Sequence, residues 1–340
     1  MGGSLISGAG GFVGQALARR LRASGGPVAT VSLRADEGGR RDGVAPSPVA
    51  RWRHALDRAR PDVVYHLAGA MQGDEPTLRS VNLGLTEALL DALRGTGLHP
   101  TLVVAGSAAE YGAAAHDGVP VREDAVCEPY TAYGRSKLAQ GRAALAFGDE
   151  TRSRVVLARI FNPVGAGMPA HLALADFAAQ IARMPSAGGR LTTGNLDAQR
   201  DFIHVDDVAI ALEALAASGD ATGPCNVCTG VPTRLGDLLD AMIAASGKAV
   251  ATCADPARYR PHEPRIIVGD TSRLRAWTGR LAQSSVREAA VLVLSTAGGP
   301  RPEGREDACA PEGAAVRDRL VADVPPAVEI GRAERPSFKA

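Results

Sequence analysis

The feature that most constrains this chain is a rhythm in its first 160 residues, where short unbroken apolar runs alternate with stripes of helical period. Ser4 to Ser7 reads as a strand. Phe12 to Ala23 carries Val13, Ala16, Leu17 and Leu21 on one helical face. Pro27 to Leu33 reads as a second strand, Trp52 to Arg60 as a helix, and Val63 to Leu67 as a further strand. A helix (Val81 to Arg94), a strand (Thr101 to Ala105), a helix (Ala132 to Phe147) and a strand (Arg154 to Arg159) follow. Strands without polar alternation are buried on both faces, which means a parallel sheet covered by helices. The connections are expected to be right-handed crossovers. The expected fold is therefore α/β, a Rossmann-like doubly wound parallel sheet over residues 1–165.

After Asn162 the rhythm changes. Helical segments at Ala173 to Arg183, Val205 to Ala217 and Leu235 to Ser246 alternate with short strand candidates near Gln199 to Ile203 and Cys225 to Cys228. This reads as a smaller substrate-binding lobe over residues 166–297, with some interleaving between the two. Residues 298–340 are rich in Pro and charge, with Phe338 the only aromatic. Such a segment buries too little to offset its ordering entropy, and a mobile tail is expected.

Composition narrows the function classes. The chain is 45% hydrophobic, which excludes wholesale disorder, and 4% aromatic, so Ala, Val, Leu and Ile must build its core. A net charge of +1 argues against a nucleic-acid binder. No apolar run approaches the ~18 residues of a membrane span. The N-terminus lacks a basic n-region, so a cytoplasmic location is expected. Five cysteines (127, 225, 228, 253 and 309) are too sparse for a disulfide framework. Cys225 and Cys228 have the CxxC spacing, but they lie in an apolar stretch without a second pair or a His partner. They read as structural thiols, and no metal site is expected.

Gly8-Ala9-Gly10-Gly11-Phe12-Val13-Gly14 joins the first strand to the first helix. Glycines at such a junction allow a tight turn and let backbone N–H groups approach a pyrophosphate at the helix N-terminus. The spacing alone is a weak signal; its place at the first βα turn strengthens it. In a dinucleotide fold, a residue about 20 positions further on reads the cofactor ribose. Here Arg34 suits a 2′-phosphate, while Asp36 suits a free hydroxyl, so NADP is preferred and NAD stays open.

Tyr133 and Lys137 are four apart in a predicted helix and share one face. A tyrosine with a pKa near ~10 is a poor proton donor or acceptor at neutral pH, and a nearby ammonium is expected to lower that value. Lysine occurs only at Lys137, Lys248 and Lys339 among 38 basic residues, which singles out Lys137. Ser107 follows the strand Thr101 to Ala105, and the C-terminal ends of strands are where open α/β sheets place their ligands. The bland alternative is an ordinary pair on a helix surface.

From about Leu5 to about Ala297 these residues resemble the extended branch of the short-chain dehydrogenase/reductase family, the nucleotide-sugar epimerases, dehydratases and reductases. The matching stretches include Asp62 to Gly69, Val81-Asn82, Gly106 to Gly112, Arg159 to Gly165, Gly194 to Phe202, and Arg260 to Glu263 before Gly269-Asp270. The resemblance implies catalytic roles for Ser107, Tyr133 and Lys137. It also implies cofactor contacts at Gly8, Gly10, Gly11, Phe12, Val13, Gly14, Arg34, Leu67, Ala68, Gly69 and Asn82. Asn162, Asn195, Arg200 and Arg260, with Ser107, take the positions that hold the nucleotide sugar. The run Gly194 to Phe202 is most similar to the GDP-mannose branch, which implies a guanine nucleotide. Homodimerisation through Val81 to Arg94 and Ala132 to Phe147 is implied as well.

One departure separates activities. The 4,6-dehydratases of the family place acids just after the position of Ser107, where this chain has Ala108 and Ala109, and alanine moves no protons. Glu110 comes one place later and, in strand-like geometry, would point the other way. The expected activity is therefore an NAD(P)H-dependent nucleotide-sugar 4-ketoreductase acting on a 4-keto-6-deoxyhexose. The alternatives are an NAD-dependent 4-epimerase and, from another class, a non-catalytic NAD(P)-sensing protein. Two further departures are a short span from Gly14 to Asp62, without the usual adenine-reading Asp, and a tail that matches nothing in the family.

Overall fold

The expected strand-and-helix alternation is present in the computed structural model, which describes residues 2–33, 46–115, 118–259, 264–280 and 282–296. In chain order its elements begin β1 (Ser4–Ser7), α1 (Phe12–Ala23), β2 (Val28–Val31), α2 (Pro48–Ala59), β3 (Val63–His66), α3 (Glu75–Arg79), α4 (Leu85–Thr96) and β4 (Thr101–Ser107). They continue with α5 (Ala132–Thr151), β5 (Val155–Ile160), β6 (Asn162–Val164), α6 (Ala173–Arg183), β7 (Gly189–Thr193), β8 (Gln199–His204) and α7 (Val205–Ala217). Last come β9 (Gly223–Val227), β10 (Pro232–Arg234), α8 (Leu235–Ser246), β11 (Val250–Ala254), β12 (Ile266–Ile267), α9 (Ser272–Thr278) and α10 (Val286–Leu294).

Six parallel strands form the central sheet in the order β2-β1-β3-β4-β5-β9. Successive side chains leave a strand on opposite faces. Ile6 thus joins Leu17, Leu21, Val208 and Leu212 of α1 and α7 on one face. Its neighbour Leu5 joins Trp52, Leu56, Leu89, Leu93 and Phe147 of α2, α4 and α5 on the other. The chain leaves β1 for β2 on one side and returns to β3 on the other. That reversal makes a crevice at the C-terminal ends of β1 and β3, where such sheets bind ligands.

The remaining elements build smaller sheets. β8 lies between β10 and β12 and also pairs with β6, while β7 pairs with β11. Helices α6, α8 and α10 share a separate core of Phe177, Ile181, Leu238, Met242 and Val293. The strand expected in the smaller lobe near Cys225 is instead the edge of the central sheet, paired with β5. Residues 1–299 form one compact unit. The tail expected to be mobile lies outside the described residues. Among the described residues, no helix is long and apolar enough to cross a membrane.

Two boundaries differ from the sequence reading for identifiable reasons. Helix α2 starts at Pro48, ahead of Trp52, because the Ser47 side chain accepts the Ala50 N–H and Pro48 occupies the first turn. The helix expected from Val81 to Arg94 is preceded by α3, capped by Asp74, and by one π-helical turn at Ser80–Gly84 before α4 begins.

Candidate active site

Gly8 has φ +71°, a conformation that favours glycine, and a Cβ there would lie 2.6 Å from the Ala68 nitrogen. At Gly14 a Cβ would lie 2.0 Å from the Gly8 carbonyl oxygen. Gly8 must be glycine for the turn to lie against the Leu67–Ala68 backbone, and Gly14 for α1 to pack against the turn itself. Gly10, by contrast, has open space where a Cβ would stand. The turn delivers Gly11 as the N-cap of α1 with no side chain capping it, so the amides of Phe12 and Val13 in the first helical turn are left for an anion. This cradle fits the pyrophosphate of a dinucleotide. Arg34 and Asp36, the residues expected to read the ribose, lie outside the described residues.

A chain of buried hydrogen bonds runs from this turn to α5. Ser136 Oγ donates to the Tyr133 carbonyl at 2.8 Å and accepts from Asn82 Nδ2 at 2.8 Å. Asn82 also holds both backbone groups of Ala70, at 2.8 and 3.0 Å. Thr86 Oγ1 donates to the Asn82 carbonyl at 2.8 Å, so its oxygen accepts from His66 Nε2 at 2.9 Å. That fixes the tautomer, and Ser7 Oγ donates to His66 Nδ1 at 2.8 Å. Burial pushes the His66 pKa down to about 3. Asn82, expected at the cofactor, thus ties the segment after β3 to the helix that carries Tyr133. Asn82 lies in the π turn at Ser80–Gly84.

Helix α5 begins at Thr131, whose side chain accepts the Gly134 N–H at 3.0 Å. A Cβ on Gly134 would lie 2.4 Å from the Ala109 carbonyl, so this glycine lets α5 close onto the end of β4. Ser107 and Tyr133 are thereby brought close enough for their side chains to interact. Ser107 Oγ also accepts from the Ala109 amide at 3.2 Å. Lys137 lies buried one turn further on, with Nζ 2.5 Å from both the Ala105 carbonyl and Gln140 Oε1. Its Nζ is 3.9 Å from where a Cβ on Gly69 would stand, so the Leu67–Gly69 segment passes over it.

The expected electrostatics need correction. Lys137 does not bring the phenol down. Burial raises the Tyr133 pKa, the Ser107 hydrogen bond opposes that rise, and Glu110 adds to it. Lys137 is itself lowered to about 8 by burial, against the pull of Glu110. Tyr133 therefore stays a phenol and Lys137 mostly an ammonium at neutral pH.

Glu110 was misplaced by the sequence reading as well. The chain after Ser107 is a tight 3₁₀ turn over Ala108–Glu110, with Ser107 as its cap. The carboxylate folds back, fully buried, and accepts from the Ser107 amide at 2.8 Å and from Arg159 Nε at 3.0 Å. Arg159 stacks on Tyr111, whose hydroxyl donates to Asn226 at 2.6 Å. Arg159 and His66 were overlooked because each sits in a strand that otherwise reads as apolar; a charged or ionisable residue in such a strand was the available signal.

The expected substrate residues are partly brought together. Asn162 and Arg200 stand on the adjacent strands β6 and β8. Asn162 Nδ2 donates to the Asp201 carbonyl at 2.9 Å, and Arg200 Nη1 donates to the carbonyls of Gln199 and Arg265. Asn195 is exposed and closes a local turn onto the Asp197 amide at 2.9 Å. Arg260 lies outside the described residues. The sequence reading missed Asp201, fully buried, which accepts from Thr229, Gly230 and Gly269 and fastens these strands together.

Comparison with known proteins agrees with this geometry. Residues 4–228 match the NAD dependent epimerase/dehydratase family. The chain belongs to that family. The GDP-6-deoxy-D-mannose reductase of Pseudomonas aeruginosa is 32% identical, over 85% of this chain and 95% of that protein. The dTDP-6-deoxy-L-talose 4-dehydrogenase (NAD(P)(+)) of Kitasatospora kifunensis is also 32% identical, over 74% of this chain and 81% of that protein. The solved structure of RMD from Pseudomonas aeruginosa complexed with NADPH superposes with a TM-score of 0.75 at 28% identity, covering 87% of this chain and 98% of that one. UDP-glucose 4-epimerases are among the relatives too. The fold is thus that of NAD(P)-dependent enzymes of nucleotide sugars, and the glycine cradle suits such a cofactor.

Proposed function

We propose that this protein is an NAD(P)H-dependent nucleotide-sugar 4-ketoreductase that converts a 4-keto-6-deoxyhexose, carried on a nucleoside diphosphate, to the 4-hydroxy sugar. The observation that carries the reading is the meeting of Ser107 with a protonated Tyr133 beside Lys137, where Ala108 and Ala109 supply no acid. When bound, the reduced nicotinamide supplies hydride to the keto carbon. Tyr133 Oη donates its proton to the developing alkoxide oxygen. One lone pair of Ser107 Oγ is held by the Ala109 amide, which leaves the hydroxyl hydrogen for the same oxygen. Lys137 places a positive charge beneath the site and, with two N–H groups held by Ala105 and Gln140, offers its third to the nicotinamide ribose. A phenol with a raised pKa suits the reductive direction, because the reverse reaction needs the phenolate.

Several finer assignments belong to the same reading. Arg34 favours NADP over NAD, and the two reductase-type relatives at 32% identity support reduction from a free cofactor. GDP is the favoured nucleotide, with Asn162, Asn195, Arg200 and Arg260 as its holders through amide N–H groups and guanidinium–phosphate pairing. Residues 1–165, joined by α7 and β9, make the cofactor lobe and the rest of 166–297 the substrate lobe of a cytoplasmic homodimer joined through α4 and α5. The test is to incubate the protein with GDP-4-keto-6-deoxymannose and NADPH and follow the reduced-nicotinamide absorbance. Absorbance is expected to fall, and Tyr133→Phe is expected to stop turnover while NADPH still binds. A constant absorbance, with a 4-epimer formed from a 4-hydroxy nucleotide sugar, overturns the reductase assignment.

A further inference from the structure

Below the Ser107–Tyr133 pair lies a buried ion pair, Glu110 with Arg159, and neither residue has a place in the scheme above. Glu110 is fully buried and is held from two sides at once. One oxygen takes the Ser107 amide at 2.8 Å, and the other takes Arg159 Nε at 3.0 Å. The chain makes room for it: a Cβ on Gly106 would lie 2.6 Å from Glu110 Oε1. Lys137, buried on α5, has only neutral hydrogen-bond partners, the Ala105 carbonyl and Gln140 Oε1.

We propose that Glu110 is a positioning residue for the reduction, fixing Ser107 through its backbone amide and supplying the negative charge that keeps the buried Lys137 an ammonium. This rests on the reductase reading for its kinetic consequence, but not for its effect on cofactor binding.

The physical argument is one of desolvation. A buried ammonium with only neutral partners loses its proton readily, and a carboxylate in the same low-dielectric region offsets that loss. The ionisable groups around Glu110 are Arg159 from β5, Lys137 and Tyr133 from α5, and Cys127 from the loop ahead of α5. Burial raises the Glu110 pKa, and the Arg159 guanidinium hydrogen-bonded to it opposes that rise and favours the carboxylate. The other contacts of Arg159 are with the Tyr111 ring and the Glu123 carbonyl. Loss of the Glu110 charge lowers both the Lys137 and the Tyr133 pKa, since the same negative charge raises each. Both changes act in one direction: the ammonium and the phenol are each lost at lower pH.

The test uses Glu110→Gln, which keeps an acceptor for the Ser107 amide and removes the charge. NADPH affinity and, separately, kcat for keto-sugar reduction are measured from neutral to alkaline pH. Both alkaline limbs are expected to move down by roughly one pH unit, while Glu110→Asp keeps them near the wild-type position. Should Glu110→Gln alone fail to fold, the double variant Glu110→Gln/Arg159→Gln removes both buried charges and is expected to show the same displacement. Limbs that coincide with wild type in either folded charge-neutral variant overturn the proposal, as does an equal displacement in Glu110→Asp. If wild type reduces no keto sugar, yet the affinity limb moves, the reductase reading falls and the role of Glu110 stands.

Discussion

His66 has no exposed surface and carries no charge, and these two facts are linked. Both ring nitrogens are occupied, one by Ser7 and one by Thr86, and the buried Lys137 ammonium adds to the effect of burial. Protonation would add a charge there with no carboxylate hydrogen-bonded to it. The folded pKa therefore drops from 6.5 to about 3. Between these values the unfolded chain takes a proton that the folded chain refuses, so stability falls as pH falls through this window. At a pH of about 5, His66 alone is expected to remove roughly 2 kcal/mol relative to neutral pH. Urea midpoints at both pH values, for wild type and for His66→Gln, isolate this contribution. The variant should lose less stability on acidification, and equal losses would show that His66 is not the responsible group. The same residue marks where the sequence was hard to read. Within Val63 to Leu67 it looks like one more member of an apolar run, and only the register Ser7↔His66 reveals its partner.

Among the elements, legibility followed the source of the signal. Helices α6, α7 and α8 have the bounds expected from their apolar stripes, because burial of one face decides where they run. Boundaries set by single polar groups were missed: Ser47 at α2, and Ser107 with Glu110 at the turn after β4. The glycine turn was legible in function, but its glycines do different jobs. Gly8→Ala puts a methyl group against the Ala68 backbone at a positive φ, and a loss of about 1–3 kcal/mol is expected together with loss of NADPH binding. Gly10→Ala meets nothing within 4 Å, so the melting temperature should stay at the wild-type value. Affinity should nevertheless fall, because the methyl group occupies the space a pyrophosphate needs. Thermal melts with NADPH titrations of both variants check this, and an unchanged affinity in Gly10→Ala would place the cofactor elsewhere.

At the scale of the whole chain, the two halves expected from the sequence share one core. Helix α7 and strand β9 come from beyond residue 200, yet they cover and extend the sheet begun at residue 4. Val208, Leu212 and Leu215 of α7 pack with Leu17 and Leu21 of α1, and Cys225 and Val227 of β9 lie in the same cluster. Burying one such aliphatic side chain is worth about 1.5–3 kcal/mol. Losing four of these, Val208, Leu212, Leu215 and Val227, amounts to roughly 6–12 kcal/mol, comparable to the whole stability of a typical domain. A fragment of residues 1–165 is therefore expected not to fold by itself, even though it holds the glycine turn, Ser107, Tyr133 and Lys137. It should bind a hydrophobic dye and melt without a cooperative transition, while a fragment of residues 1–299 should melt cooperatively. A sharp transition in the short fragment, with NADPH affinity retained, would show that the early strands close their own core and that α7 is an accessory layer.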